Sequence, residues 1–109
     1  MKTLLIGINA KYIHQNLAIR YLYVNTKNYH NIDFHEFTIK DDINNIIATI
    51  IKEKPDVLGI STYIWNIEIV KVLTKRLKSL IPNLIIVLGG PEAGYDTKHW
   101  FSTLPVDYI

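Results

Sequence analysis

Asp56-Val57-Leu58-Gly59-Ile60-Ser61-Thr62-Tyr63 decides how this chain folds. Val57 to Ile60 are apolar or small without polar alternation, and the run is too short for a helix. That is the pattern of a strand buried on both faces of a parallel sheet. On its N-terminal side, Ile43, Ile46, Ile47, Ile50 and Ile51 follow the i, i+3, i+4, i+7, i+8 spacing of an amphipathic helix. Asp41 and Asp42 place carboxylates at the start of that helix, Lys52 and Lys54 lie in its last turn, and Pro55 is expected to end it. On the C-terminal side, Asn66 is expected to cap a second such helix. Ile69, Val70, Leu73, Leu77 and Leu80 should face inward, and Pro82 should end it.

The same alternation extends both ways. Residues 3–8 (Thr-Leu-Leu-Ile-Gly-Ile) and 84–88 (Leu-Ile-Ile-Val-Leu) are further buried strands, the latter closed by Gly89-Gly90-Pro91. Residues 32–39 mix polar and apolar side chains, as an edge strand should. Between the first two strands, Asn9 to Gln15 reads as a loop. Asn16 then caps a helix over 17–27 with a broad stripe of Leu17, Arg20/Tyr21 and Tyr23/Val24. A short helix over 97–103 and a fifth strand starting at 105–109 complete a β-α-β-α-β-α-β-α-β series. This predicts an α/β fold: a doubly wound, parallel, five-stranded sheet between two layers of helices. With the polar second strand on the edge, the strand order is 2-1-3-4-5, the flavodoxin-like variant of the Rossmann-like class.

Composition agrees with one folded domain. The chain has 109 residues, 49% hydrophobic and 20% charged, with a formal charge of +2. No run of Lys/Arg exceeds two, which argues against a nucleic-acid face, and no apolar run is long enough to span a membrane. The N-terminus has too short an apolar core for a secretory signal. Cysteine is absent, which excludes disulfides, thiolate metal sites, iron–sulfur ligation and cysteine nucleophiles within these residues and is compatible with the cytoplasm. The segment 105–109 reads as a strand just begun, so the chain is expected to be a domain truncated within its fifth strand.

In open parallel sheets, ligands bind beyond the carboxyl ends of the strands. Three segments fall there: Asn9 to Asn16, Ser61 to Asn66, and Gly89 to Gly94. A phosphoacceptor site would need an acidic cluster after the first strand and an aspartate ending the third, where Asn9 and Ser61 stand. A dinucleotide site would need G-x-G-x-x-G after the first strand, and that loop has no glycine. His30, His35 and His99 have no partner at metal-ligand spacing, and no H-x-x-x-H pair exists. What remains is small residues, hydroxyls and aromatics on one rim, suited to a large, flat, mostly apolar ligand with polar edges.

Gly59-x-Ser61 on the third strand and Leu88-Gly89-Gly90-Pro91-Glu92 after the fourth resemble the cobalamin-binding domain family. In that family a small or hydroxyl residue after the third strand and a Gly-Gly after the fourth make room for the nucleotide tail of cobalamin. The family's common form carries D-x-H-x-x-G after the first strand, whose histidine ligates cobalt. Here the loop reads Asn9-Ala10-Lys11-Tyr12-Ile13-His14 and departs from it; Asp33-Phe34-His35 mimics the motif's opening but lies in the second strand without the glycine. Loss of the motif is usual in cobalamin domains fused to radical S-adenosylmethionine enzymes. The stretch from Asn9 to Leu22 and the Gly-Gly-Pro-Glu continuation are similar to that group.

The resemblance implies Asn9, Tyr12, His14, Gly59, Ser61, Thr62, Tyr63, Gly89, Gly90, Pro91 and Glu92 as cofactor-binding residues, with no catalytic residue and no metal ligand. Trp65 stands beside them as a further aromatic and, like Tyr12 and Tyr63, either walls the corrin or simply packs. It also implies a C-terminal radical domain of the same polypeptide, which would hold S-adenosylmethionine and a 4Fe-4S cluster. Two other readings stand beside this one. One is a degenerate module that only docks to partner domains, and the other is a non-enzymatic cobalamin sensor or carrier.

Overall fold

The computed structural model describes residues 1–10, 23–24, 31–95 and 97–109. Four strands, β1 (Thr3–Asn9), β2 (Ile32–Thr38), β3 (Val57–Ser61) and β4 (Ile85–Gly89), form one parallel sheet in the order β2-β1-β3-β4. Helices α1 (Ile43–Glu53) and α2 (Ile67–Leu80) link β2 to β3 and β3 to β4, followed by the short α3 (Pro91–Tyr95) and α4 (Thr97–Thr103). The doubly wound order is therefore as expected, and α3 is an addition to it. Of the expected helix over 17–27, only Tyr23 and Val24 lie within the described residues, and both are helical.

Of the fifth strand, the structure shows only the start. Its only ladder element is a parallel bridge between Val87 and Tyr108, with Leu88 N–H donating to the Tyr108 carbonyl at 2.9 Å. Just before it, the Asp107 carboxylate accepts the Ile86 N–H at 2.8 Å. A side chain thus occupies the donor that a fifth strand's carbonyl would otherwise take, and pairing shrinks to one bridge.

Local chemistry sets the helix ends. The Asp42 carboxylate accepts the Asn44 N–H at 2.9 Å and caps α1. The helix stops at Lys54, in the left-handed conformation (φ 51°), one residue ahead of the expected Pro55. Ile51 is 42% exposed: eight residues advance the helix about 80° past two full turns, enough to carry it off the buried stripe. Leu80, the last residue of α2, is also exposed, while Ile67 and Thr74 are buried in its stead.

The two faces of the sheet differ. Leu4, Ile6, Ile8, Leu58, Ile60, Ile86 and Leu88 are sealed in one aliphatic cluster with Ile46, Ile47 and Ile50 of α1 and Val70, Leu73 and Leu77 of α2. The residues between them, Leu5, Val57, Gly59, Ile85 and Val87, are only half-buried and belong to the opposite face. Burial on both faces was expected; complete burial holds for one. No helix among the described residues is long and apolar enough to cross a membrane.

Candidate functional site

At the carboxyl end of the sheet, the parallel register aligns Gly7 of β1 with Ser61 of β3, and Ser61 with Gly89 of β4. Register partners point to the same face. This row therefore crosses three strands on the half-buried face with no side chain larger than a serine's. A Cβ added to Gly89 would meet no atom within 4 Å. Gly89 is exposed, whereas Ser61 is buried.

The three candidate glycines have three different reasons to be glycine. Gly90 has φ +91°, and a Cβ there would fall 2.8 Å from the Thr62 nitrogen and closer still to its carbonyl oxygen. Its smallness serves the crossing of two backbones. Gly59 faces Leu5, whose Cδ2 lies 2.8 Å from the position of an added Cβ, so the chain's own leucine fills that space. Only Gly89 leaves an opening.

Thr62 is completely buried, and its hydroxyl is consumed. It donates to the Gly89 carbonyl at 2.6 Å and accepts the Ala93 N–H at 2.8 Å. The Thr62 N–H also donates to the Gly89 carbonyl at 2.7 Å, and the Thr62 carbonyl accepts the Glu92 N–H at 3.3 Å. The Thr62 side chain is thus sealed and binds the chain to itself.

Asn66 was expected to cap α2, and it sits at the N-cap position without a capping side-chain bond. Fully buried, it donates to the carbonyls of Ile8 at 3.1 Å and Ser61 at 3.0 Å, and accepts the Tyr63 N–H at 2.8 Å. It ties the ends of β1 and β3 together. The signal in the sequence was a lone asparagine five residues after Ser61, which composition cannot tell from a cap.

Between Thr62 and Asn66 the loop presents its aromatics. Tyr63 and Trp65 stack with centroids 4.4 Å apart and planes within 5°, and the Trp65 indole N–H donates to the Ile8 carbonyl at 3.3 Å. Ile64 at the tip is 80% exposed and Trp65 47%. Across the rim, exposed Pro91 opens α3 and Glu92 is half-buried in its first turn, where the Glu92 carbonyl accepts the Trp100 indole N–H at 2.9 Å. Asn9, the last residue of β1, is buried and its carbonyl accepts the Ile39 N–H. The structure thus gathers Asn9, Ser61, Thr62, Tyr63, Gly89, Gly90, Pro91 and Glu92 at one end of the sheet, with Gly59 one row below. Tyr12 and His14 lie outside the described residues.

One further cluster lies away from the rim. Ligand atoms of Asp33, His35 and Glu53 come within 4.8 Å of one another, so His35 does have neighbours at metal-ligand range, brought by the fold and not by sequence spacing. Glu53 is already engaged: the Lys2 ammonium sits 2.8 Å from one carboxylate oxygen, and the other is 3.5 Å from His35 Nε2. Lys2 holds the Glu53 carboxyl below its usual range, with His35 adding to the effect.

Residues 3–109 match the B12 binding domain. The chain belongs to this B12-binding family. Membership supports cobalamin as the ligand, and the Gly89 opening is an observation of the structure that fits a bulky group brought against the backbone. Within the domain, 52 residues are 35% identical to the cobalamin-dependent radical SAM methyltransferase TokK of Streptomyces tokunonensis. That stretch covers 48% of this chain and 8% of TokK. A cobalamin-binding protein from Desulfitobacterium hafniense DCB-2 shares the fold, with a TM-score of 0.65 at 12% identity, over 99% of this chain and 52% of that one. The chain thus spans about half of its structural relative and a small part of the methyltransferase.

Proposed function

We propose that this domain is the corrinoid-holding module of a cobalamin-dependent radical S-adenosylmethionine enzyme of the cytoplasm. A separate C-terminal domain of the same polypeptide would carry the S-adenosylmethionine and the 4Fe-4S cluster. The partial likeness to TokK supports the enzymatic part of this reading, and the absence of cysteine assigns any cluster to other residues. One observation carries the cobalamin part: the Gly7–Ser61–Gly89 row, where nothing stands within 4 Å of a Cβ on Gly89.

Cobalamin, when bound, supplies a cobalt centre able to carry and transfer an alkyl group. The protein's part is to hold it. The small-residue row makes space for the nucleotide tail against the sheet, and the Ser61 hydroxyl offers that tail a hydrogen-bonding group. Asn9, Pro91 and Glu92 supply polar and backbone groups at the rim. Tyr63 and Trp65 offer a flat apolar wall that excludes water from the corrin edge. Tyr12 and His14, which follow β1 in the sequence, are proposed to complete the enclosure.

The test is titration of the full-length protein with hydroxocobalamin, followed by its visible spectrum. We expect stoichiometric retention with a base-off spectrum; failure of the full-length protein to retain cobalamin overturns the reading. Sequencing the gene around this segment tests the second part. A C-x-x-x-C-x-x-C motif in the same reading frame is expected, and a complete frame without one removes the radical domain while leaving cobalamin binding in place.

A further inference from the structure

Ser61 and Gly89, the two halves of the opening, lie on adjacent strands whose exits run into separate loops. The Thr62 backbone ties the two exits through its N–H to the Gly89 carbonyl and its carbonyl to the Glu92 N–H, and among the described residues one side chain adds to these ties. Thr62, the residue after Ser61, sends its hydroxyl across to Gly89 and receives the Ala93 N–H from the first turn of α3. That one oxygen therefore joins the end of β4, the start of α3 and the end of β3. Gly90, between the joined groups, passes the Thr62 backbone so closely that no Cβ fits. Thr62 itself is 0% exposed and cannot reach a ligand.

We propose that Thr62 is a positioning residue: its hydroxyl holds the Gly89–Gly90 exit at a fixed separation from Ser61 and so keeps the opening at Gly89 in its binding shape. The role rests on the cobalamin reading for its ligand, but its structural half is independent of it. The threonine methyl fills space in the knot, and the hydroxyl carries the direction. Valine keeps the shape and loses both hydrogen bonds; serine keeps both bonds and loses the methyl. With valine, the Ala93 N–H is left buried and without this acceptor, and the Gly89 carbonyl retains only the Thr62 N–H. The backbone bond to Gly89 remains, but the link from the end of β4 to the first turn of α3 is lost, and the Gly89–Gly90 exit is held less firmly.

Thr62→Val, Thr62→Ser and, as a control destabilised in the core at a distance, Leu77→Ala would be made in the full-length protein. Two readouts apply: the hydroxocobalamin Kd of the folded protein, and amide hydrogen exchange along the chain. Thr62→Val is expected to weaken cobalamin about tenfold or more, with Thr62→Ser within about threefold of wild type. Leu77→Ala should lower the unfolding midpoint while leaving the Kd of the folded protein unchanged. In exchange, Thr62→Val should deprotect Ala93 and its neighbours through Gly94 while β1 and α1 keep their protection, and Thr62→Ser should restore it.

A Thr62→Val protein that binds cobalamin as tightly as wild type overturns the proposal. So does one whose exchange rises uniformly along the chain, as in Leu77→Ala. If wild type itself binds no cobalamin, it is the functional reading that fails. The exchange pattern then decides whether Thr62 holds the exit.

Discussion

The two faces of the one sheet solve opposite problems. Under α1 and α2, each outward position is filled: Leu4, Ile6, Ile8, Leu58, Ile60, Ile86 and Leu88 are at most 2% exposed. On the other face, the last row shared by β1, β3 and β4 is Gly7, Ser61 and Gly89, and among the described residues nothing stands within 4 Å of a Cβ on Gly89. The filled face is held by dispersion and apolar burial, which are indifferent to direction. The open end lacks that filling, and its shape is kept by buried polar side chains, Thr62 and Asn66, whose hydrogen bonds specify direction. A binding site can be emptied of side chains only where something other than packing holds its walls.

The largest effect should come from emptying the filled face. Leu58→Ala should lower unfolding free energy by about 2–5 kcal/mol, measured by urea denaturation, with no change in cobalamin affinity for the folded protein. Loss of affinity in step with stability would show that the two faces are not separable.

Next is Asn66→Ala, which removes the donors to the Ile8 and Ser61 carbonyls and the acceptor of the Tyr63 N–H. A loss of about 1–3 kcal/mol is expected. Unlike Leu58→Ala, it should also quench or shift the fluorescence of Trp65, because the loop carrying it loses its anchor. Unchanged Trp65 emission would place the loop's support elsewhere.

Gly89→Leu sharpens the contrast between a gap and a site. A Cβ at Gly89 meets nothing within 4 Å and the position is exposed, so stability should stay within about 1 kcal/mol of wild type or rise, since glycine in a strand is itself unfavourable. Cobalamin affinity should fall about tenfold or more in the same protein. A leucine at this position that leaves binding intact means the opening is not where the ligand sits.

The smallest effect concerns pH. The Asp107 carboxyl is held below its usual range by the Lys78 ammonium and then by the Ile86 N–H. Its contribution to stability is present above the ordinary aspartate range and is lost as pH falls through the lowered value. The group is partly exposed, so the contribution is small. Asp107→Asn should flatten the acid side of the stability-against-pH curve, and an unchanged curve would detach β4's outer edge from this pair.

Much of this was legible in the chain. The run Val57–Ile60 and the isoleucine stripe before it specify a buried strand and an amphipathic helix, because side-chain periodicity is a local property. The rim residues were legible as a set, since strand ends in a parallel sheet converge on one edge. Their individual roles were not. Gly59, Gly89 and Gly90 look alike in sequence, yet one faces a leucine, one faces open space and one faces a backbone. Thr62 reads in sequence as a cofactor contact and Asn66 as a helix cap, because the carbonyls they bind belong to strands 27 and 58 residues away. How the fifth strand begins was not legible for the same reason: Asp107 takes the Ile86 N–H across the fold, from 21 residues away.

The alternation of strands and helices, their parallel order and the end of the sheet at which a ligand belongs are all written along the chain. These follow from periodicity and from the need of each apolar face to be covered. Which of the three candidate glycines faces open space, which hydroxyl is spent on the protein and which face of the sheet is half-buried emerge only once the strands are assembled. Those depend on register between strands distant in sequence, and a register is a property of the pair and of neither strand alone.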